Sequence, residues 1–119
     1  MNVAIIGASN KEHRYSYMAF KLLKEKGHNV FPVHQRIKQI EGQTVVASID
    51  DISEKIDTVT MYVNAGVSNT ISDNIINKKP KRVIFNPGAE NPQMQERLNS
   101  AGIRTVNACT LVMLKTSQF

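Results

Sequence analysis

Short apolar runs alternate with amphipathic segments along this sequence, and no other feature constrains its fold as strongly. Residues 2–7 form an apolar run that ends in glycine, as expected of a strand buried on both faces. Residues 15–23 carry apolar side chains at helical spacing, and 29–33 form a second candidate strand. A strand, a helix and another strand within 33 residues have the size of a βαβ unit.

The first helix is predicted from a single apolar stripe. Its members, which we expect to face the core, are Tyr15, Met18, Ala19, Leu22 and Leu23. A glycine four residues after this stripe is suitably placed to end the helix in the left-handed conformation.

The same alternation continues to the end of the sequence. Further strands are predicted at 57–63, 82–86 and 103–106. Further helices are predicted from the face Val67, Ile71 and Ile75, and from the N-cap and proline pair Asn91-Pro92. Two segments stay open: 44–47 is a short strand or an extended connection, and 109–115 is a short helix or an extended tail.

Strands that alternate with helices form a parallel sheet covered on both faces, and right-handed crossovers make such a sheet doubly wound. We therefore predict an α/β fold, a single-domain, doubly wound parallel sheet of Rossmann-like type over residues 1–119. A length of 119 residues suits one domain of this kind.

Composition excludes several classes of function. No apolar run approaches the roughly 20 residues of a membrane helix, so no membrane contact is expected. The single cysteine, Cys109, excludes an intrachain disulfide and favours a cytoplasmic location, and the three histidines have no metal-ligand spacing. The net charge of +5 favours anionic ligands. With seven aromatic residues and no tryptophan, we expect no nucleic-acid partner.

Ligands of doubly wound sheets bind beyond the carboxyl ends of the strands, so the loops that follow the strands are the candidate site. In the first loop, Gly7 permits a tight turn, and the start of the next helix suits a phosphate. Ser9 can donate a hydrogen bond there, and Arg14 can pair with a phosphate. The dinucleotide fingerprint G-x-G-x-x-G is incomplete, because Ser9 and Glu12 occupy its second and third glycine positions.

The second loop, 33–38, narrows the class of ligand. An NAD site usually has an acidic residue here to hold the ribose hydroxyls, whereas this loop carries Arg36 and Lys38. That favours a nucleotide with an additional ribose phosphate, and both coenzyme A (CoA) and NADP qualify. A solvated surface turn without a ligand is the alternative.

The third and fourth loops add less specific signals. Tyr62 at a strand end offers an aromatic face and a hydroxyl, although core packing explains it equally well. Proline and glycine in Asn86-Pro87-Gly88 set a turn that a ligand can approach closely.

Together, the four loops resemble the small stand-alone CoA-binding proteins, whose fold is similar to the CoA-binding domain of succinyl-CoA synthetase α subunits. The motifs that carry the resemblance, over about residues 2–110, are Gly7-Ala8-Ser9, Phe31-Pro32-Val33 with basic residues behind it, Tyr62-Val63 and Asn86-Pro87-Gly88. Family members often have Asn-Pro-Lys after the valine of the second strand, whereas this chain has His34-Gln35-Arg36.

The resemblance implies that CoA lies across the strand ends. Its phosphates would face the first motif, its adenosine end the segment 33–38, and its remainder the last two motifs. The predicted cofactor-binding residues are Gly7, Ala8, Ser9, Asn10, Arg14, Val33, His34, Arg36, Lys38, Tyr62, Val63, Asn86, Pro87 and Gly88.

No pair of nucleophile and base stands out in the sequence, so the expected function is binding of CoA or an acyl-CoA by a non-catalytic or regulatory module. The alternative is an enzyme, either an NADP-dependent oxidoreductase or an acyl-CoA-processing subunit that a partner chain completes. Self-association as a homo-oligomer is expected to use the apolar segment 111–114.

Overall fold

Five parallel strands form the main sheet, as the alternation of apolar runs predicted. The computed structural model describes residues 1–119. The strands of the main sheet are β1 (Asn2–Ile6), β2 (Asn29–Val33), β5 (Thr58–Met61), β6 (Arg82–Phe85) and β7 (Arg104–Asn107). Between β2 and β5 lie a hairpin, β3 (Gln39–Ile40) and β4 (Gln43–Thr44), and a 3-10 helix, Ile49–Asp51. The α-helices are α1 (Tyr15–Glu25), α2 (Ala65–Lys78), α3 (Pro92–Ser100) and α4 (Thr110–Lys115).

The strand order is β2-β1-β5-β6-β7, with every neighbouring pair parallel. The chain leaves β1 towards β2 on one side and later continues from β5 on the other, so the winding reverses beside β1. This is the strand order of the flavodoxin-like doubly wound sheet. The predicted Rossmann-like α/β fold is confirmed.

Side chains of the strands alternate between two apolar layers. In β1, Ala4 and Ile6 belong to the layer that α2 and α3 cover, whereas Val3 and Ile5 belong to the opposite layer. The helices contribute Ile75, Met94 and Leu98 to the first layer and Phe20, Leu23 and Leu114 to the second. Burial of one such side chain contributes about 1.5–3 kcal/mol, so both faces of the sheet stabilise the fold.

The predicted inner stripe of α1 is wrong in part. Tyr15 is 70% exposed and Met18 is 38% exposed, whereas Ala19 and Leu23 are buried as expected. Phe20, outside the predicted stripe, is only 1% exposed. The helix is therefore rotated about its axis so that Phe20 packs on the sheet and the flank carrying Tyr15 and Met18 faces outward.

The structure shows the conformation of both segments that the sequence left open. Segment 44–47 continues from the hairpin, and its Val46 bridges to the edge of β2: the Val46 N–H donates to the Pro32 carbonyl (3.2 Å), and the His34 N–H donates to the Val46 carbonyl (2.9 Å). Segment 109–115 forms α4 from its second residue onward. None of the helices combines the length and apolar content needed to cross a membrane.

Candidate functional site

A cavity of about 400 Å³ opens at the carboxyl ends of β1 and β2, against the face of α2 that carries Val67, Ile71 and Asn74. It lies on the face of the sheet that α2 covers, beside the position where the winding of the sheet reverses. Its lining residues are Ile6, Gly7, Val33, His34, Gln35, Arg36, Ala47, Ser48, Ile49, Val63, Val67, Ile71 and Asn74. The location is the one at which doubly wound sheets bind ligands.

The walls of this cavity are mainly apolar, and its one charged side chain is basic. Branched aliphatic side chains from β1, β2, the 3-10 helix and α2 form the walls, and Arg36 lies in the loop after β2. No lining residue is acidic. Such a cavity can hold an apolar ring beside an anionic group.

Gly7 allows the loops after β1 and β5 to approach each other. Its φ angle is +86°, and a Cβ atom at this position would lie 2.8 Å from Val63 Cγ1 and 3.0 Å from the Tyr62 carbonyl oxygen. The N–H groups of Gly7 and Ala8 both donate to the Val33 carbonyl at 3.1 Å. These two amides therefore already have an acceptor within the protein. What the geometry shows for Gly7 is that it allows close packing of the loops after β1 and β5.

Unused backbone donors begin further along the first loop, at the start of α1. The N–H groups of Tyr15, Ser16 and Tyr17 donate to no acceptor, and Arg14 at the N-cap provides no side-chain cap. Because the first turn also lacks an acidic residue, it presents free donors and the positive end of the helix dipole. Ser9 Oγ accepts a hydrogen bond from the Lys11 N–H (3.1 Å), which leaves its own O–H able to donate.

An imidazole organises the loop after β2. His34 Nδ1 accepts hydrogen bonds from the backbone N–H groups of Arg36 (3.0 Å) and Ile37 (3.2 Å). The turn places Arg36 at the cavity, whereas Lys38 lies outside it, where the Lys38 carbonyl accepts from the Val45 N–H (2.9 Å). The structure therefore separates the two basic residues that the sequence analysis treated together.

Tyr62 and Val63 lie on opposite faces of the sheet. Val63 lines the cavity, whereas Tyr62 packs beside the layer formed with α1 and α4. The Tyr62 hydroxyl is buried without a hydrogen-bond partner, and burial raises the pKa of Tyr62 to about 12. The two residues follow β5 and continue the alternation of its side chains, since Met61, the last residue of β5, belongs to the same layer as Val63.

Asn86 fixes the carboxyl ends of the central strands from inside. It is 2% exposed, and its amide donates to Thr60 Oγ1 (2.7 Å) and to the Met61 carbonyl (2.9 Å). Its Oδ1 accepts from the Thr110 N–H (2.8 Å), which satisfies a donor at the start of α4. Pro87 and Gly88 are exposed on the same turn and do not line the cavity.

Of the predicted residues, the structure brings five together around the cavity: Gly7, Val33, His34, Arg36 and Val63. The others lie along or near the same edge of the sheet but outside the cavity: Ala8, Ser9, Asn10, Arg14, Lys38, Tyr62, Asn86, Pro87 and Gly88. Contact of any of them with a ligand stays a prediction.

One wall of the cavity was not predicted from the sequence; it is formed by Ala47, Ser48, Ile49 and Asn74. Asn74 follows Val67 and Ile71 at helical spacing, so the face of α2 contained a signal for it. Its amide donates to Asp50 Oδ2 (2.6 Å), which ties α2 to the 3-10 helix. No local motif distinguishes residues 47–49.

Comparison with known proteins indicates the family to which this chain is related. The sequence pattern described as "CoA binding domain" matches residues 1–115. The α subunit of an ADP-forming acetate–CoA ligase II from Pyrococcus furiosus is 36% identical over 62 residues, which are 51% of this chain and 14% of that subunit. The uncharacterized protein YneT from Bacillus subtilis is 30% identical over 60 residues, which are 50% of this chain and 44% of that protein.

A solved structure extends the similarity over the whole fold. The crystal structure of an uncharacterized protein superposes with a TM-score of 0.89 at 39% sequence identity, covering 99% of this chain and 97% of that one. Because the family pattern spans nearly all of the sequence, the predicted resemblance is confirmed, and this chain belongs to the CoA-binding domain family.

Proposed function

We propose that this protein binds coenzyme A or an acyl-CoA at the carboxyl edge of its sheet, as a binding module without catalytic residues. The observation that carries the proposal is the cavity beside β1 and β2, with apolar walls, Arg36 as its one charge and no acidic lining residue. Membership of the CoA-binding domain family supports the choice of ligand.

The chemistry of the cavity suits the adenosine end of CoA. Its volume of about 400 Å³ lies within the range of small-molecule sites, roughly 300–1,000 Å³. The adenine ring would pack against Val33, Ile49 and Ile71, and the ribose 3′-phosphate would meet Arg36. An acidic side chain, which a ribose without a phosphate would call for, is absent from the lining.

The pyrophosphate of CoA would lie over the start of α1. Three unused N–H groups, the Ser9 hydroxyl and the Arg14 side chain are available in that part of the loop. A helix start with free donors and no acidic residue favours an anion. This arrangement supports a ligand that extends from the cavity along the edge of the sheet.

The side chains that line the cavity favour a role in binding over a role in catalysis. Its titratable side chains are His34 and Arg36, and neither has a carboxylate partner within the protein. A histidine that serves as a general base usually has a second group that orients it for proton transfer. Here Nδ1 of His34 accepts from two backbone amides instead.

Titration calorimetry with CoA, 3′-dephospho-CoA, NADP⁺ and NAD⁺ tests the proposal. CoA should bind more tightly than 3′-dephospho-CoA by roughly tenfold or more, since a charge-assisted contact contributes about 1.5–3 kcal/mol. Arg36→Ala should remove this preference, and Lys38→Ala, outside the cavity, should reduce it less. Tighter binding of NADP⁺ than of CoA would overturn the proposal and favour the reductase alternative.

A second candidate is a subunit that a partner chain completes for acyl-CoA chemistry. The similarity to part of an acetate–CoA ligase α subunit is the observation that favours it. Incubation of the purified protein with acetyl-CoA, ADP and phosphate tests this candidate. A subunit that needs a partner chain should show no turnover, whereas a catalyst that acts alone should convert these substrates. Turnover by the protein without a partner would contradict the proposed non-catalytic role.

A further inference from the structure

The two hydrogen bonds at His34 determine its tautomer. Nδ1 accepts from the N–H groups of Arg36 (3.0 Å) and Ile37 (3.2 Å), so this nitrogen carries no proton. In a neutral imidazole the proton then resides on Nε2. The ring is therefore an acceptor towards its own backbone and a donor on its other side.

The same bonds hold the turn that carries Arg36. The turn has no proline to preset its backbone, and Arg36 forms no ion pair that would hold its side chain. An acceptor that receives the N–H groups two and three residues later performs the function of an asparagine side chain in an Asx turn. His34 thus performs with an imidazole what a carboxamide performs in many turns.

We propose that His34 is a positioning residue of the ligand site. Its Nδ1 holds the turn that aims Arg36 at the ligand phosphate, and its Nε2–H remains as a neutral donor for an acceptor atom of the ligand. The part that concerns the ligand rests on the proposed binding of CoA. The part that concerns the turn does not depend on any ligand.

Nitrogen-15 NMR of the imidazole rings tests the turn directly. In the protein without ligand, the two-bond proton–nitrogen spectrum should show His34 as the Nε2–H tautomer at pH 7.5. His34→Ala should speed hydrogen exchange at the amides of Arg36 and Ile37, whereas His34→Asn should keep it slow. An Nδ1–H tautomer, or unchanged exchange in His34→Ala, would overturn the inference whether or not CoA binds.

Calorimetry tests the consequence for the ligand through the ratio of affinities for CoA and 3′-dephospho-CoA. His34→Ala should reduce this ratio by about tenfold, towards the value for Arg36→Ala, and the double variant should lose no more. His34→Asn should restore it, and Gln39→Ala, an exposed change in β3, should leave it unchanged. A full ratio in His34→Ala, or no recovery in His34→Asn, would overturn the inference.

The two experiments separate failure of this inference from failure of the proposed function. If the unaltered protein binds no CoA, the proposed function fails, and the NMR spectrum still decides the role of His34 in the turn. If it binds CoA and the His34 variants keep the ratio, CoA binding stands and the positioning role fails. Thermal unfolding of each variant confirms that it is folded before either comparison.

Discussion

Gly7 meets two separable requirements, a left-handed backbone and close contact with the loop after β5. Gly27 has a similar φ angle, +87°, but nothing lies within 4 Å of the Cβ position. Gly27→Ala should therefore lower the free energy of unfolding by about 1–2 kcal/mol, the cost of the left-handed conformation. Gly7→Ala adds overpacking against Val63 and should lower it by about 2–5 kcal/mol in total.

Urea unfolding of both variants measures the difference. Equal losses in Gly7→Ala and Gly27→Ala would contradict a steric requirement at Gly7. They would leave the left-handed backbone as the only reason for glycine there.

Residue types in the loops predicted the position of the cavity better than the side chains that line it. The basic character of loop 33–38 was evident from the sequence, but the turn capped by His34 decides that Arg36 reaches the cavity and Lys38 does not. Asn86 shows the same limit, because its three buried partners come from β5 and the start of α4. Local sequence does not encode which distant groups an amide will meet.

The hairpin of β3 and β4 is fastened to α1 and β2 by polar side chains. Glu41 accepts a hydrogen bond from the Tyr17 hydroxyl and pairs with Lys21 at 3.8 Å. Gln43 accepts from Lys24 Nζ (2.9 Å) and donates to the Val30 carbonyl (2.5 Å). In sequence the hairpin connects loop 33–38 to the cavity wall at 47–49, so these contacts anchor the chain between the two.

The contact between Glu41 and Tyr17 makes stability depend on pH in a defined window. The Tyr17 hydroxyl, with Lys21 beside it, holds the pKa of Glu41 below its ordinary value of 4.5, and Glu41 in turn raises the pKa of Tyr17 to about 12. A lowered carboxyl pKa stabilises the fold above pH 4.5, and this stabilisation is lost as the pH falls through the folded-state value. A raised tyrosine pKa stabilises below pH 10, and this is lost as the pH rises towards 12.

Glu41→Gln should therefore reduce the dependence of stability on pH at the acid side. The difference between the two proteins should be present at pH 7 and shrink below pH 4.5, because protonation then removes the charge of Glu41 in the unaltered protein. Urea unfolding between pH 3 and pH 7 measures this. Glu25→Gln, which removes an exposed carboxylate without an ion pair, is the control, and an equal effect there would contradict a specific role of Glu41.

Long elements were predictable, and very short ones were not. The strands of the main sheet follow from apolar runs, since burial on both faces imposes a composition that a local pattern reveals. The two-residue strands β3 and β4 depend on contacts of Glu41 and Gln43 with distant elements, so segment 44–47 stayed ambiguous. The rotation of α1 depends on how Phe20 fits the sheet, which helical spacing alone does not specify.

The net charge of +5 gives the whole molecule a field that attracts polyanions such as CoA. Raising the salt concentration from 0.01 to 0.1 M shortens the Debye length from about 30 Å to about 10 Å. CoA affinity should fall by roughly threefold or more over this range, because salt screens both Arg36 and the general field. Calorimetry at several salt concentrations measures the effect.

Adenosine provides the matched control for that experiment. It carries the adenine and ribose that we assign to the cavity but no phosphate, so its affinity should change little with salt. An equal salt dependence for adenosine and CoA would contradict an electrostatic contribution to binding.

The place of β1 in the sheet also has a consequence for synthesis of the protein on the ribosome. β1 lies between β2 and β5, and Met61, the last residue of β5, follows Val33, the last residue of β2, by 28 positions. At 5–20 residues per second, the nascent chain holds β1 paired on one side only for roughly 1 to 6 s. During that interval an apolar strand has an unpaired edge, which leaves the nascent chain open to aggregation until β5 is added.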